Sequence, residues 1–501
     1  MEKQLRELKI RLAEVNDLSS AAAVLGWDQA TYMPSGGGKA RGRQMATLEG
    51  LAQQKFTDPM IGKLLDELEK NAKDLPYDSD EAALIRKTRR DYDRQVKVPP
   101  AWVAKFSAHS AQSYQAWTRA RPANDFKSVQ DNLKKTLDLS REYADFFPGY
   151  DHIADPLIDV PDPGMKAADI RRIFSELREQ LVPIVKAITS QAEADDSPLR
   201  KGYPEEEQLE FGIAVARDFG LDLNRSRQDK THHPFCTTFS IGDVRITTRV
   251  KENLLDDALF STLHETGHAL YELGVNPELE ATPLIGGTSS GVHESQSRTW
   301  ENIVGRSRGF WEHYYPKLQQ KFPKQLKDVS LDAFYRAINK VSRSLIRTDA
   351  DEVTYNLHVM IRFELEMQML EGKLEIKDLP EAWHNRYQED LGVHAPSDVD
   401  GVLQDVHWYG GRIGGMFQGY TLGNIISALF YEAALKAHPQ IPAEISKGKF
   451  DTLHNWLKEN LYWHGSKFTP NELIQRITDG PLRIEPYIAY LRTKYGELYK
   501  L

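Results

Sequence analysis

"STLHETGHALYELG", residues 261–274, decides how the chain is read. The run reads as one helix, and in a helix residues four apart share a face, about 6 Å apart along the axis. His264 and His268 can therefore both turn a ring nitrogen toward one metal ion. Glu265 lies beside that face, where it can accept a proton from a water held there, the general-base role of the glutamate in H-E-x-x-H. A zinc ion lowers the pKa of bound water from about 15.7 to about 7, which suits hydrolysis at neutral pH. The competing reading is an ordinary amphipathic helix. Two histidines do not complete a site, because a catalytic zinc takes three protein ligands and keeps one position open.

Geometry sorts the candidates for the third ligand. Glu272 lies eight residues from His264, about 12 Å along the axis, too far to share an ion bonded at about 2 Å, and is expected to be solvated or structural. The metzincin extension needs Gly at 271 and His at 274, where this chain has Tyr271 and Gly274. Gly274 reads as a helix stop, followed by a Pro/Gly-rich loop and then "GVHESQSRTWENIVG" (291–305), which suits a second helix. Glu294 on that helix is the best third ligand.

The rest of the chain supplies a helical setting. Apolar residues return every three or four positions in "LAQQKFTDPMIGKLLDELEKNAKDL" and "AADIRRIFSELREQLVPIVKAITSQAEA", so the fold is expected to be mostly α. "FCTTFSIGDVRITTRV" (235–250) breaks the pattern, its β-branched and aromatic residues flanking a Gly-Asp turn as in a β-hairpin; a small antiparallel sheet is expected just before the HETGH helix. Pro/Gly-rich connections fall at 32–42, 147–164 and 276–291, and no repeat is found.

Bulk properties limit the partners. Lys plus Arg number 64 against 73 Asp plus Glu, a formal charge of -9 without long blocks of one sign, which argues against nucleic acid. No stretch reaches the roughly 18 apolar residues that span a bilayer, so no membrane association is expected. The single cysteine, Cys236, and the charged, amphipathic N-terminus point to the cytoplasm.

With "HESQSR" (293–298) the chain resembles the carboxypeptidase Taq family, whose members pair HExxH with an HES(M/Q) segment on the next helix. "LGWDQATYMP" (25–34), "HPF" (233–235), "DVRIT" (243–247), "IRTDADEVTY" (346–355) and "GVLQDVHW" (401–408) match further family segments in order. The resemblance implies a zinc carboxypeptidase that releases single C-terminal residues with broad specificity and little liking for proline. It implies a mostly helical, deeply grooved peptidase fold, like that of neurolysin and angiotensin-converting enzyme, with the small sheet beside the active site. On this reading residues 1–501 form one domain, with the N-terminal helices, about 1–75, as a candidate lid and an active-site core over about 230–425. His264, His268 and Glu294 become the ligands and Glu265 the base, in agreement with the geometric sorting. Zn2+ is the expected cofactor, with Co2+ or Mn2+ as acceptable substitutes. The expected partners are peptides with a free C-terminus and a second copy of the chain in a homodimer.

The surrounding residues have two readings each. Asp243, Arg245 and Thr247 alternate onto one face of a strand and could bind peptide, with His233 of the HPF segment; the alternative is the solvated face of an edge strand. Arg347 could clamp a free carboxylate through a two-pronged contact, or pair with Asp351 one helical turn on. Gln404, His407 and Trp408 are expected to share a helical face, with His407 donating to an oxyanion and Asp405 orienting a neighbour; the alternative for His407 is a satisfied core histidine. Tyr420 is a second candidate oxyanion donor, although "MFQG" stands where many relatives carry an aromatic-Pro stretch. Trp27 and Met33 are expected to pack the N-terminal helices. In some related zinc peptidases a carboxylate four residues after the glutamate ligand orients a bound histidine; Arg298 stands there, so that partner must come from elsewhere. The rival functions are an oligopeptidase or dipeptidyl carboxypeptidase on the same scaffold, and a non-catalytic, metal-stabilised peptide-binding protein.

Overall fold

The three- and four-residue apolar spacing is realised as helix along nearly the whole chain of the computed structural model, which describes residues 1–501. The helix Ala167–Thr189 illustrates why: Ile170, Ile173, Phe174, Leu177, Leu181, Ile184, Val185 and Ile188 form one buried stripe. The start of Asp80–Lys97 is set by Ser79, whose side chain accepts from the Ala82 amide and satisfies one otherwise orphaned donor. Ninety-six buried residues make one continuous core. A separate cluster of 14 joins Leu8, Leu12, Phe56 and Ile61 of the N-terminal helices to Ile241, Val275, Leu279 and Leu284. No helix is long and apolar enough to cross a membrane.

The sheet differs from the expected one. The hairpin is present, β2 (Cys236–Ser240) pairing antiparallel with β3 (Asp243–Thr248) around Ile241 and Gly242. A third strand, β1 (Ser226–Lys230), pairs parallel with β3, so the sheet is mixed and ordered β1-β3-β2. The chain reverses between β1 and β2 and again in the hairpin, which leaves β1 and β3 running the same way. Its sequence, "SRQDK", has no β-branched or aromatic residue, so sequence propensity gives no sign of it. β3 is thus the central strand rather than an edge.

The HETGH helix (Leu255–Leu273) lies between this sheet and the helix Ser290–Arg298, which carries Glu294. Two glycines allow the close crossings. A Cβ on Gly267 would stand 2.4 Å from the Gln296 carbonyl oxygen, and one on Gly423, in the helix Gln418–Ala437, 2.5 Å from Glu294 Cγ. The Glu294 helix is gripped between them, which fixes the depth of its carboxylate. Gly274 does end the HETGH helix, but in right-handed backbone. Glycine is needed there because a Cβ would meet Tyr462 Cβ at 2.7 Å.

Candidate metal centre

The three expected ligands converge. Nε2 of His264 and of His268 stand 3.6 Å and 3.5 Å from the same oxygen, Oε2 of Glu294. One ligand atom from each residue lies within 4.8 Å of the others. Bonds of about 2.0–2.2 Å in tetrahedral geometry put neighbouring ligands roughly 3.3–3.6 Å apart, which both histidine–glutamate separations match, so the donor set suits a zinc-sized ion. The set chemistry, two imidazoles and a carboxylate, is that of a hydrolytic zinc site.

Charge around the triad is tightly arranged. Glu294 Oε1 accepts from Arg298 Nε at 2.7 Å, so the arginine that stands in place of the expected carboxylate grips the ligand itself. Burial alone would push the Glu294 carboxyl up, but the charges of Arg298 and His264 outweigh it and hold it well below the usual range. The partner of His264 is Glu301, whose Oε2 lies 2.8 Å from Nδ1 and 3.1 Å from Arg298 Nη1. Burial would raise Glu301 too, yet Arg298 and His264 bring it down to about 2. Glu301 sits in a π-helical turn, Thr299–Val304, that continues the Glu294 helix. Its signal in the sequence is the seven-residue step from Glu294, which keeps both on one helical face.

Glu265 is 5% exposed, and burial raises its carboxyl to about 7. Glu272, remote from the triad along the helix, is structural and not solvated: it is 7% exposed and its Oε1 lies 2.6 Å from His293 Nε2. His293 Nδ1 in turn lies 2.6 Å from His268 Nδ1. Burial would raise Glu272, but His293, Thr238 and Gly287 donate to it and lower it overall.

A second constellation surrounds Arg347. Within residues 346–352 only Arg347–Asp349 forms a 3-10 turn and no helix spans 347 to 351, so the one-turn pair with Asp351 does not form; Asp351 accepts instead from the amides of Ser342, Val353 and Thr354. Arg347 donates through Nε and Nη2 to Asp405 and through Nη1 to the Tyr355 hydroxyl at 2.9 Å. Asp405 also accepts from Arg362, a fully buried arginine that donates further to Gln404 and Tyr387. Two guanidiniums therefore share one carboxylate. Arg362 was not anticipated; its signal is a charged residue inside the apolar run "LHVMIRFELEM". This group adjoins the triad, since the Arg298 guanidinium carbon lies 4.8 Å from the Tyr355 ring centre.

Gln404, His407 and Trp408 do not share a helix. Only His407–Gly410 is helical, because Gln404 is held in a turn where it accepts from the Arg347 amide and donates to the Leu345 and Asp400 carbonyls. His407 lies with Tyr420 and Phe417, its ring centre 6.4 Å from that of Tyr420 and 4.7 Å from that of Phe417. Its Nδ1 is buried without a partner, 3.6 Å from Asp405 Oδ1. The Tyr420 ring centre is 5.4 Å from the Arg347 guanidinium, and burial raises its hydroxyl, which stays a proton donor.

The β3 residues are engaged elsewhere. Arg245 makes a two-pronged pair with Asp243 at 2.8 Å on both arms, and its guanidinium lies 4.3 Å from the Trp27 ring centre. Thr247 Oγ1 exchanges hydrogen bonds with the Phe235 backbone. Trp27 thus packs onto the sheet as well as within its helix, while Met33 covers Gly37. His233 is exposed in a bend.

A paired-histidine and glutamate site beside a buried arginine cluster is the arrangement of a metal-dependent peptide hydrolase. The comparisons specify which: residues 7–495 match the model of the carboxypeptidase Taq (M32) metallopeptidases, and the chain belongs to that family. It is 41% identical over 493 residues to thermostable carboxypeptidase 1 of Thermus thermophilus, covering 96% of each chain. It is 35% identical to carboxypeptidase 1 of Bacillus subtilis over 98% of this chain and 97% of the other. Among solved structures, the M32 carboxypeptidase of Deinococcus radiodurans superposes with a TM-score of 0.97 at 51% identity over all of both chains. The carboxypeptidase of Pyrococcus furiosus gives 0.95 at 32% identity over 99% of each. The protein is a metallocarboxypeptidase with the mostly helical zincin-like fold of its family.

Proposed function

We propose that the protein removes single residues from the C-terminus of peptides, with broad specificity and little activity on proline, using a zinc ion held by His264, His268 and Glu294. Bound there, zinc supplies a polarised carbonyl and a water acidic near pH 7. Glu265 takes the proton of the attacking water and passes it to the leaving amine, a role suited to a carboxyl raised to about 7 by burial. Tyr420 and His407 face the developing oxyanion, each such donor being worth about 3 kcal/mol of barrier. Cobalt or manganese would serve as substitutes.

The observation that carries the exopeptidase reading is the excess positive charge at Arg347. With Arg362 it shares the one carboxylate of Asp405, which leaves the buried cluster short of an anion. Three of its five N–H groups are spent on Asp405 and Tyr355, so one on each terminal nitrogen remains for a substrate carboxylate. Gln404 and Asp405 hold that arginine in place; Asp243, Arg245 and His233 border the peptide farther out, whereas Thr247, fully buried and bonded to the Phe235 backbone, is left a structural part. Mass spectrometry of a digested peptide tests the proposal: a ladder of single-residue losses is expected, and dipeptide steps or internal cuts would replace it with the oligopeptidase reading.

The same proposal includes one domain over 1–501 with the helices of residues 1–75 as a lid, supported by their packing in a small core apart from the main one, shared with Ile241, Val275, Leu279 and Leu284. Hydrogen exchange in 1–75 should slow when a peptide product is added; unchanged exchange removes the lid. A homodimer and a cytoplasmic setting without nucleic-acid or membrane partners complete it, the latter supported by the single cysteine and the charge of -9. Sedimentation equilibrium giving twice 57.1 kDa would support the dimer, and a monomer mass would remove it.

A further inference from the structure

His293, the first residue of HESQSR, and Glu272, the glutamate too remote to be a ligand, have no part in the chemistry so far described. They are nevertheless joined in line to His268. His268 Nδ1 lies 2.6 Å from His293 Nδ1, and His293 Nε2 lies 2.6 Å from Glu272 Oε1. The rings of His268 and His293 are 4.7 Å apart and tilted by 41°. Two bare or two protonated nitrogens do not attract at this separation, so one carries a hydrogen and the other does not.

The direction of the chain of hydrogen bonds is set from the Glu272 end. Glu272, a carboxylate, can only accept from His293 Nε2, so with a single ring proton His293 carries it on Nε2 and leaves its Nδ1 bare. That bare nitrogen can only accept, so His268 carries its proton on Nδ1. Its Nε2, the atom 3.5 Å from Glu294 Oε2, is then a free lone pair. In the reverse arrangement His268 would carry a proton on Nε2, pointed into the ligand triangle. The surrounding backbone is shaped to the pair. A Cβ on Gly287 would stand 2.5 Å from His293 Cδ2, and Gly286, at φ +86°, brings its backbone to Glu272, where a Cβ would lie 3.5 Å from Oε2. His264 differs, since its Nδ1 meets the carboxylate of Glu301 directly.

We propose that Glu272 and His293 form a relay of positioning residues that fixes the tautomer and ring orientation of His268 for metal binding. The inference rests on the metal-centre reading and adds to it two residues that never touch the ion. Partners of this kind are worth about 10–100-fold in metal affinity.

The test is zinc affinity of the full-length protein by chelator competition, with the melting temperature of each metal-free variant as a control for folding. His293→Leu and Glu272→Gln should each weaken zinc by about 10-fold or more. The double variant should be no weaker than His293→Leu alone, because both cuts fall in one line. His293→Gln, whose amide can accept from His268 and donate to Glu272, should restore affinity to within about threefold of the parent. Bound cobalt should show an altered visible spectrum in His293→Leu and the parental one in His293→Gln. Glu294→Ala separates the two readings: if it binds zinc as the parent does, the metal centre itself is misassigned. If Glu294→Ala loses zinc while His293→Leu keeps parental affinity, or if the two relay losses multiply, the relay is overturned. Should His293→Leu fail to fold, the Glu272→Gln and His293→Gln affinities decide by the same criteria.

Discussion

Glu265 and Glu294 are both buried carboxyls on facing helices, and their surroundings push them in opposite directions. Burial is the largest influence on Glu265 and outweighs the opposing pull of His264, raising it to about 7, whereas Arg298 and His264 overcome burial at Glu294 and keep it ionised. One is therefore suited to carry a proton and the other to bind a cation. Replacing Glu265 with Gln should lower turnover by about 10²–10⁴-fold while zinc content by metal analysis stays at the parental level. Near-parental hydrolysis would remove the base assignment. Arg347→Ala should reduce kcat/KM for peptides with a free terminus by far more than for their C-terminal amides. Losing a desolvated charged contact of this type costs about 2–5 kcal/mol, so the gap should exceed tenfold. Equal losses on the two substrates would show that Arg347 only holds Asp405 and Tyr355.

Between elements, the metal centre depends on how closely three helices approach. Gly267 stands at the crossing of the HETGH and Glu294 helices, and an added methyl would meet the Gln296 carbonyl and Ser297 Cα. Gly267→Ala should cost about 1–3 kcal/mol of stability in a urea titration and weaken zinc, because the helices must part to admit it. Unchanged zinc affinity would mean that the triad tolerates that shift. On the helix Tyr355–Leu370, Glu366 is fully buried against Trp408, whose Nε1 donates to Oε1 at 2.9 Å, and burial raises it to about 8. A raised acid binds its proton more tightly in the folded state than in the unfolded one, where its ordinary value is 4.5. The stability it leaves intact below about pH 4.5 is thus lost as pH rises toward 8, by on the order of 4 kcal/mol. Denaturation series from pH 5 to 8 should show Glu366→Gln falling less steeply than the parent. Parallel curves would mean that Glu366 is ionised throughout.

Across the whole molecule, the ion should act as a staple between two helices that the chain visits separately. Removing zinc with a chelator should abolish hydrolysis, and restoring it should raise the unfolding midpoint with the logarithm of free zinc. At 1,000 times Kd the gain is about 4 kcal/mol, and it should vanish in Glu294→Ala. Helical content, the hairpin and the three side chains that converge as a candidate metal site were all legible in the residues, because apolar spacing, β-branched runs and the i, i+4 histidines are local patterns. β1 was not, since "SRQDK" gains its place only by hydrogen bonding to β3. Arg347 illustrates the same limit: a pair with Asp351 was one local reading, yet its partner is Asp405, 58 residues away. Glu301, Arg362 and the Glu272–His293 contact were likewise hidden, although Glu301, Glu272 and His293 sit on helices the sequence predicted. The sequence by itself determined which residues could bind a metal and take a proton, because those properties belong to side chains at fixed helical steps. Only the tertiary structure decided which charges they would face, because an ionised group inside a protein is governed by neighbours that other segments bring to it.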